Sequence, residues 1–236
     1  MPSRGSGAAC FEGARNRGSG LGHRVNRLLV DTDSPNSLSG RARRRRWEAL
    51  ASRFPQLSEM RVIDLGGTVR SWKFSGLRPA EVMLLNTFDQ NSDLPWVKSV
   101  VGDACELPGQ LRGERFDLVF SNSVLEHVGG HRRRVAFAEC VHQLGHHHWI
   151  QTPYRYFPIE PHWLFPGFQF LPLRAQSYVT MRWPLLTHPP ATTDQAVRRN
   201  LGNELMSRTH MRFYFPTSEI HEERIAGVPK SLVAVR

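Results

Sequence analysis

The chain has 236 residues, is 40% hydrophobic and carries thirteen Phe, six Trp and four Tyr, which excludes a disordered or fibrous polypeptide and suits one globular domain with a sizeable core. Its formal charge of +10 is unevenly placed: residues 1–46 hold ten arginines against Glu12, Asp31 and Asp33, leaving about +3 for the remaining 190 residues. A folded core that is itself strongly basic is thereby excluded, and nucleic-acid contact is expected only through the N-terminal arm.

Residues 1–40 are rich in Gly, Ser, Arg and Asn with little periodicity, so 1–46 reads as a basic, disordered arm and 47–236 as the folded domain. RARRRRW, residues 41–47, is either a solvated basic helix start or a patch for nucleic acid or an acidic membrane. Trp47, Leu50 and Phe54 then recur at helical spacing, predicting a helix with one buried face that Pro55 helps to close. Cys10, Cys105 and Cys140 are widely spaced and form no CxxC pair, as expected of a reducing cytoplasm without a zinc or disulfide framework. Neither a membrane-spanning run nor a signal peptide is expected.

From residue 61 short apolar runs alternate with helical or irregular stretches. RVIDL (61–65), EVMLLN (81–86), VKSVVG (97–102), FDLVFS (116–121) and HHWIQT (147–152) read as strands. Between the last two, HRRRVAFAECVHQLG reads as a helix whose Phe137, Val141 and Leu144 share a face and whose stop is Gly145. Strands separated by crossovers predict an α/β fold with a mostly parallel sheet. SEIHEERI (218–225) and KSLVAVR (230–236) are joined by a short turn, which predicts an antiparallel pair. Residues 153–190 break the rhythm, with nine aromatics within thirty residues and five prolines between 153 and 172 that forbid one long helix. They read as an irregular packed insertion.

In open α/β sheets ligands sit beyond the carboxyl ends of the strands. Asp64 and Gly66 follow the first strand, Asn86 ends the second, Asp103 follows the third, and Ser121 and Asn122 follow the fourth, so all converge on one edge. In RVIDLGGTVRSW (61–72) the third glycine of a dinucleotide fingerprint is missing, and Asp64 would repel a pyrophosphate. An adenosine-like ligand without phosphate and with cationic groups suits this turn better than NAD, which disfavours a dehydrogenase.

VIDLGGT, LLN at the second strand end, VVGDACELP (100–108), FDLVFSNSVLEHV (116–128) and QTPYRYFPIEPHWLFP (151–166), in that order, resemble class I S-adenosylmethionine-dependent methyltransferases of the methyltransferase type 11 group. The resemblance spans about residues 47–236 and includes the closing strands. It implies a Rossmann-like three-layer sandwich with a mostly parallel seven-stranded sheet of order 3-2-1-4-5-7-6 and an antiparallel last strand. It also implies S-adenosylmethionine as cofactor, with Asp64 and Gly66 by its methionine end and Gly67 keeping the turn open. Asn86 would stand where such enzymes usually place an acid on the ribose; an amide accepts one hydroxyl hydrogen bond without charge assistance. Asp103 would accept from the adenine amino group, Ala104 and Cys105 would offer backbone contacts, and Ser121 and Asn122 would border the sulfonium.

Methyl transfer is an in-line displacement from sulfur, so the protein mainly aligns the reactants and excludes water. A hydroxyl acceptor also gains from a general base, for which His is best poised. His127 in LEH and His162 in PIEPHW are the two catalytic candidates, with Tyr154 and Glu160 behind them. The insertion, taken as 153–215, sits where the family builds acceptor pockets or lids; its run 161–173 could line an apolar acceptor site, cover the core, or touch a membrane surface. His146, His147 and His148 read as a polar strand edge, so no metal ligands are expected. The expected function is methylation, with oxygen favoured, of a small or medium and apolar metabolite. The alternative is a non-catalytic Rossmann-like protein whose arginine arm binds RNA or another polyanion.

Overall fold

The computed structural model describes residues 38–186 and 189–236; the expectations for residues 1–37 lie outside them. Helix α1 (Leu38–Arg53) crosses the expected boundary at residue 46, so 38–46 are helical, unlike the disordered arm expected to residue 46 and in line with the helix start read at 41–47. The cause is burial: Trp47, Leu50 and Phe54 sink into the core, and the Trp47 ring stacks on Phe120 at a centroid distance of 5.1 Å.

Strands β1 (Arg61–Leu65), β2 (Glu81–Asn86), β3 (Val97–Val101), β4 (Phe116–Asn122) and β5 (Gly145–Pro153) pair in parallel, and β9 (Val228–Val235) runs antiparallel between β5 and β8 (Glu219–Ile225). The order is β3-β2-β1-β4-β5-β9-β8, the arrangement expected. Central strands covered on both faces need near-continuous apolar runs, which β1 and β4 supply. One face carries Ile63, Leu65, Val119 and Phe137; the other carries Val62, Trp72, Leu118 and Phe120. Helix α2 (Val69–Lys73) follows β1, and α3 (His131–Leu144) buries Phe137, Val141 and Leu144 as predicted. Gly145 does end α3, but in extended rather than left-handed backbone; a Cβ there would lie 2.8 Å from Val119, so its value is close packing.

After β5 the insertion forms a short hairpin of β6 (Ile159–Glu160) and β7 (Phe165–Pro166), followed by α4 (Leu173–Arg182) and α5 (Thr193–Leu201). Trp163, Phe168 and Leu186 make a small core of their own, which Trp183 and Phe165 border. Much of the aromatic content is consumed there. Helix α6 (Arg208–Tyr214) returns to the main core through Met211 and Tyr214.

Candidate functional site

The turn after β1 is built around a buried acid. Asp64 is 2% exposed, and one carboxyl oxygen accepts from the Trp72 indole at 2.8 Å while the other has no partner. Burial pushes its pKa up to about 7, the indole hydrogen bond pulling the other way. Gly66 has φ +80 and donates to the Leu85 carbonyl at 2.8 Å. A Cβ on Gly67 would lie 1.8 Å from an Asp64 oxygen, so only glycine permits the acid to sit beneath the turn. Thr68 caps α2 by accepting from Ser71 N–H at 3.2 Å.

Asn86 does not project as an unengaged acceptor. Its amide donates to the Gly67 carbonyl at 3.0 Å and its oxygen accepts from Thr87 N–H at 2.8 Å. Gln90 donates to the same Gly67 carbonyl at 2.9 Å, so the β2 end clamps the β1 turn. Beyond β3, Asp103 accepts from Cys105 N–H at 2.8 Å and from Arg133 at 2.6 Å. Burial would raise its pKa, but the Arg133 guanidinium and the Cys105 amide outweigh that and hold it below the usual carboxylate range. Ala104 and Cys105 pack against the main core, and burial pushes the Cys105 thiol up to about 12.

At the β4 end, the buried Ser121 hydroxyl donates to the Leu65 carbonyl at 2.9 Å. Asn122 accepts from Arg46 of α1, whose guanidinium also forms a two-point pair with Glu223, both contacts at 2.6 Å. The helix from the expected arm therefore reaches the carboxyl end of β4.

The two histidine candidates, 35 residues apart, meet: His127 Nε2 and His162 Nε2 are 3.2 Å apart. The hairpin after β5 carries His162 over the β4 loop. Buried Glu160 stands behind it, 2.7 Å from His162 Nδ1, and also accepts from the backbone N–H groups of His162 and Trp163 at 2.6 and 2.9 Å. A carboxylate already receiving two amides is an acceptor, which assigns the imidazole proton to Nδ1. Asn203 lies 2.7 Å from the same nitrogen, where a protonated Nδ1 requires the amide turned so that its oxygen, otherwise buried without a partner, accepts. Burial alone would lower the His162 pKa, but the Glu160 hydrogen bond and charge hold it above the ordinary value. For His127, crowding by protein and by His162 pushes the pKa down to about 4, although 44% of its side chain is accessible.

Sequence reasoning missed Glu126, which is 1% exposed and accepts from Thr152 at 2.9 Å. Its only signal was an acid placed inside an apolar segment. Arg46, Gln90, Arg133 and Asn203 were missed as well, each a partner more than twenty residues away, and so was Trp72, eight residues from Asp64. Tyr154 points elsewhere, its hydroxyl accepting from Arg208 at 2.8 Å. In the His146–His148 run, His147 bonds the Arg236 carbonyl and buried His148 bonds Ser218 at 2.7 Å, so the run is more than a polar edge.

Residues 67–146 match the family model Methyltransf_11, described as a methyltransferase domain, and the resemblance to class I methyltransferases of the type 11 group is borne out. No curated protein matches the sequence. Solved structures share the fold at low identity. The N-methyltransferase NodS from Bradyrhizobium japonicum has a TM-score of 0.50 at 10% identity, covering 83% of this chain and 95% of its own. The N-terminal domain of EvdMO1, solved with S-adenosylhomocysteine and D-fucose, gives 0.50 at 15%, with 91% and 94% covered. A SAM-dependent methyltransferase from Anabaena variabilis gives 0.50 at 13%, with 80% and 82% covered.

Proposed function

We propose that this chain is an S-adenosylmethionine-dependent methyltransferase of the EC 2.1.1 class that methylates an oxygen of a small or medium, partly apolar metabolite. The observation that carries the reading is the Glu160–His162–His127 series, borne on the segments that follow β4 and β5. Supporting it, the β1 turn buries an acid where a phosphate cradle would need none, which suits a cofactor with an ammonium and a sulfonium.

Asp64, Gly66 and Gly67 would take the methionine end, Asn86 a ribose hydroxyl through the second lone pair of its oxygen, and Asp103 with Ala104 the adenine. Ser121 and Asn122 would border the sulfonium chiefly through backbone, because their side chains are engaged with Leu65 and Arg46. In the reaction an oxygen lone pair forms the O–C bond while the C–S bond breaks, its electrons returning to sulfur as a neutral thioether. The hydroxyl proton passes to His162 Nε2, bare when the ring is neutral with its proton on Nδ1. Glu160 acts through His162 by stabilising the imidazolium that results. An amine can lose its proton to solvent before it attacks, whereas a hydroxyl has to lose it in the transfer step, which favours oxygen.

Among the described residues no helix is long and apolar enough to cross a membrane, and a cytoplasmic setting suits the free thiols of Cys105 and Cys140.

Methyl-labelled cofactor incubated with purified chain and metabolite extract should label an extractable small molecule. With that acceptor, kcat should rise with pH through a value above 6.5, since His162 must be neutral to receive a proton. His162→Ala should lower kcat by about 10²–10⁴-fold, leaving cofactor affinity unchanged. Labelling that is insensitive to His162→Ala would remove its assigned role.

A further inference from the structure

His127, His162 and Glu126 form a second pattern that proton transfer alone does not explain. The Thr152 hydroxyl satisfies one oxygen of Glu126, while the other is buried without a partner. That unpaired oxygen lies 4.0 Å from His127 Nε2, and one ligand atom from each of Glu126, His127 and His162 falls within 4.8 Å of the others. With Glu160 holding the proton of His162 on Nδ1, its Nε2 presents a lone pair. On His127, Nε2 faces that nitrogen across 3.2 Å and offers a lone pair in the tautomer with its proton on Nδ1. Two imidazole nitrogens beside a buried, unpartnered carboxyl oxygen offer three donor atoms to one cation.

We propose that Glu126, His127 and His162 bind a divalent transition-metal ion, with Glu160 as the positioning residue that orients His162. Two imidazole nitrogens and one carboxylate oxygen are a borderline donor set suited to zinc, cobalt(II) or iron(II), not to calcium or magnesium. Tetrahedral zinc with bonds near 2.0–2.1 Å sets ligand atoms about 3.3 Å apart; the two nitrogens stand at that spacing, and Glu126, 4.0 Å from His127 Nε2 and within 4.8 Å of the His162 ligand atom, has up to about 1.5 Å to close. A carboxylate on the far nitrogen of a metal-bound histidine, as Glu160 is on His162, fixes the tautomer such a ligand needs. Three protein ligands leave a coordination position open. This rests on the methyltransferase reading only for what fills that position: an acceptor hydroxyl there loses its proton to solvent on coordination, and its oxygen attacks the methyl carbon. With the ion bound, His162 Nε2 would serve as a ligand and the ion would supply the activation otherwise given by His162 as base; the base role and its pH profile belong to the metal-free chain.

The test is cobalt(II) titration of tag-free, chelator-treated full-length chain, followed by visible d–d absorption and by zinc competition. One cobalt per chain with tetrahedral absorption is expected. Affinity should fall at least tenfold in His127→Ala and in Glu126→Gln, and about 10–100-fold in Glu160→Gln. His127 is well exposed, so its variant folds, and Glu126→Gln keeps the shape of the buried side chain; circular dichroism of each variant checks the fold. No stoichiometric uptake, or uptake indifferent to His127→Ala and Glu126→Gln, overturns the proposal. S-adenosylhomocysteine titration of the same samples separates the two readings: cofactor binding without metal uptake sinks the ion alone, and metal uptake without cofactor binding sinks the methyltransferase reading alone.

Discussion

Asp64 illustrates at residue scale how a site departs from what stability favours. Its pKa of about 7 against an ordinary 3.8 means that between those values the folded chain holds a proton that the unfolded chain has lost. Stability therefore falls as pH rises from about 4 to about 7, and the full cost is present above that. Asp64→Asn keeps an acceptor for Trp72 and removes the buried charge. It should raise Tm by a few degrees at pH 8, about 1–3 kcal/mol, with little change at pH 4. The same variant should bind a cationic cofactor more weakly, because it lacks the anion. Thermal melts at both pH values check the first outcome; equal Tm gains at both would refute a titration origin. Asp64 was legible because an acid closing an apolar strand is unusual. Glu126 was not, since a glutamate ordinarily reads as solvent-exposed and its burial depends on Thr152 and on the insertion lying over it.

At the scale of elements, α1 is held by one side chain as much as by its apolar face. Arg46 is 10% exposed on its side chain and clasps Glu223 of β8 with two parallel contacts while touching Asn122 of β4. Arg46→Ala should cost about 1–3 kcal/mol by leaving Glu223 and Asn122 without their partner. Arg46→Lys should recover little, because an ammonium cannot supply the fork. Denaturant melts measure both, and a variant as stable as the parent would show that the clasp contributes nothing. The strands were readable from their apolar runs, and the sheet order came through the family resemblance. What could not be read is where a basic helix docks: RARRRR looks like a solvated run until Glu223, 177 residues away, is folded against it. The same holds for His127 and His162, which only the hairpin after β5 brings together.

For the whole molecule, most of the formal charge of +10 lies before residue 47, yet Arg46 within that stretch is spent on internal contacts. A chain beginning at residue 38 should keep its Tm and its cofactor affinity, whereas one beginning at residue 47 should melt lower for want of Arg46 and most of α1. If the arm grips RNA, the second truncation should abolish the salt-sensitive part of binding, and the first, which keeps five of the ten arginines, should only weaken it. A loss of cofactor affinity in that truncation would instead tie the arm to the site.

The central claim is that the edge formed by Asp64, Asn86 and Asp103 holds S-adenosylmethionine. Calorimetric titration of the full chain with S-adenosylhomocysteine tests it most directly. One ligand per chain is expected, with affinity that tightens between pH 6 and pH 8 as Asp64 ionises and a loss of about tenfold or more in Asp103→Ala. No binding heat, or an Asp103→Ala variant that binds as tightly as the parent, would contradict it.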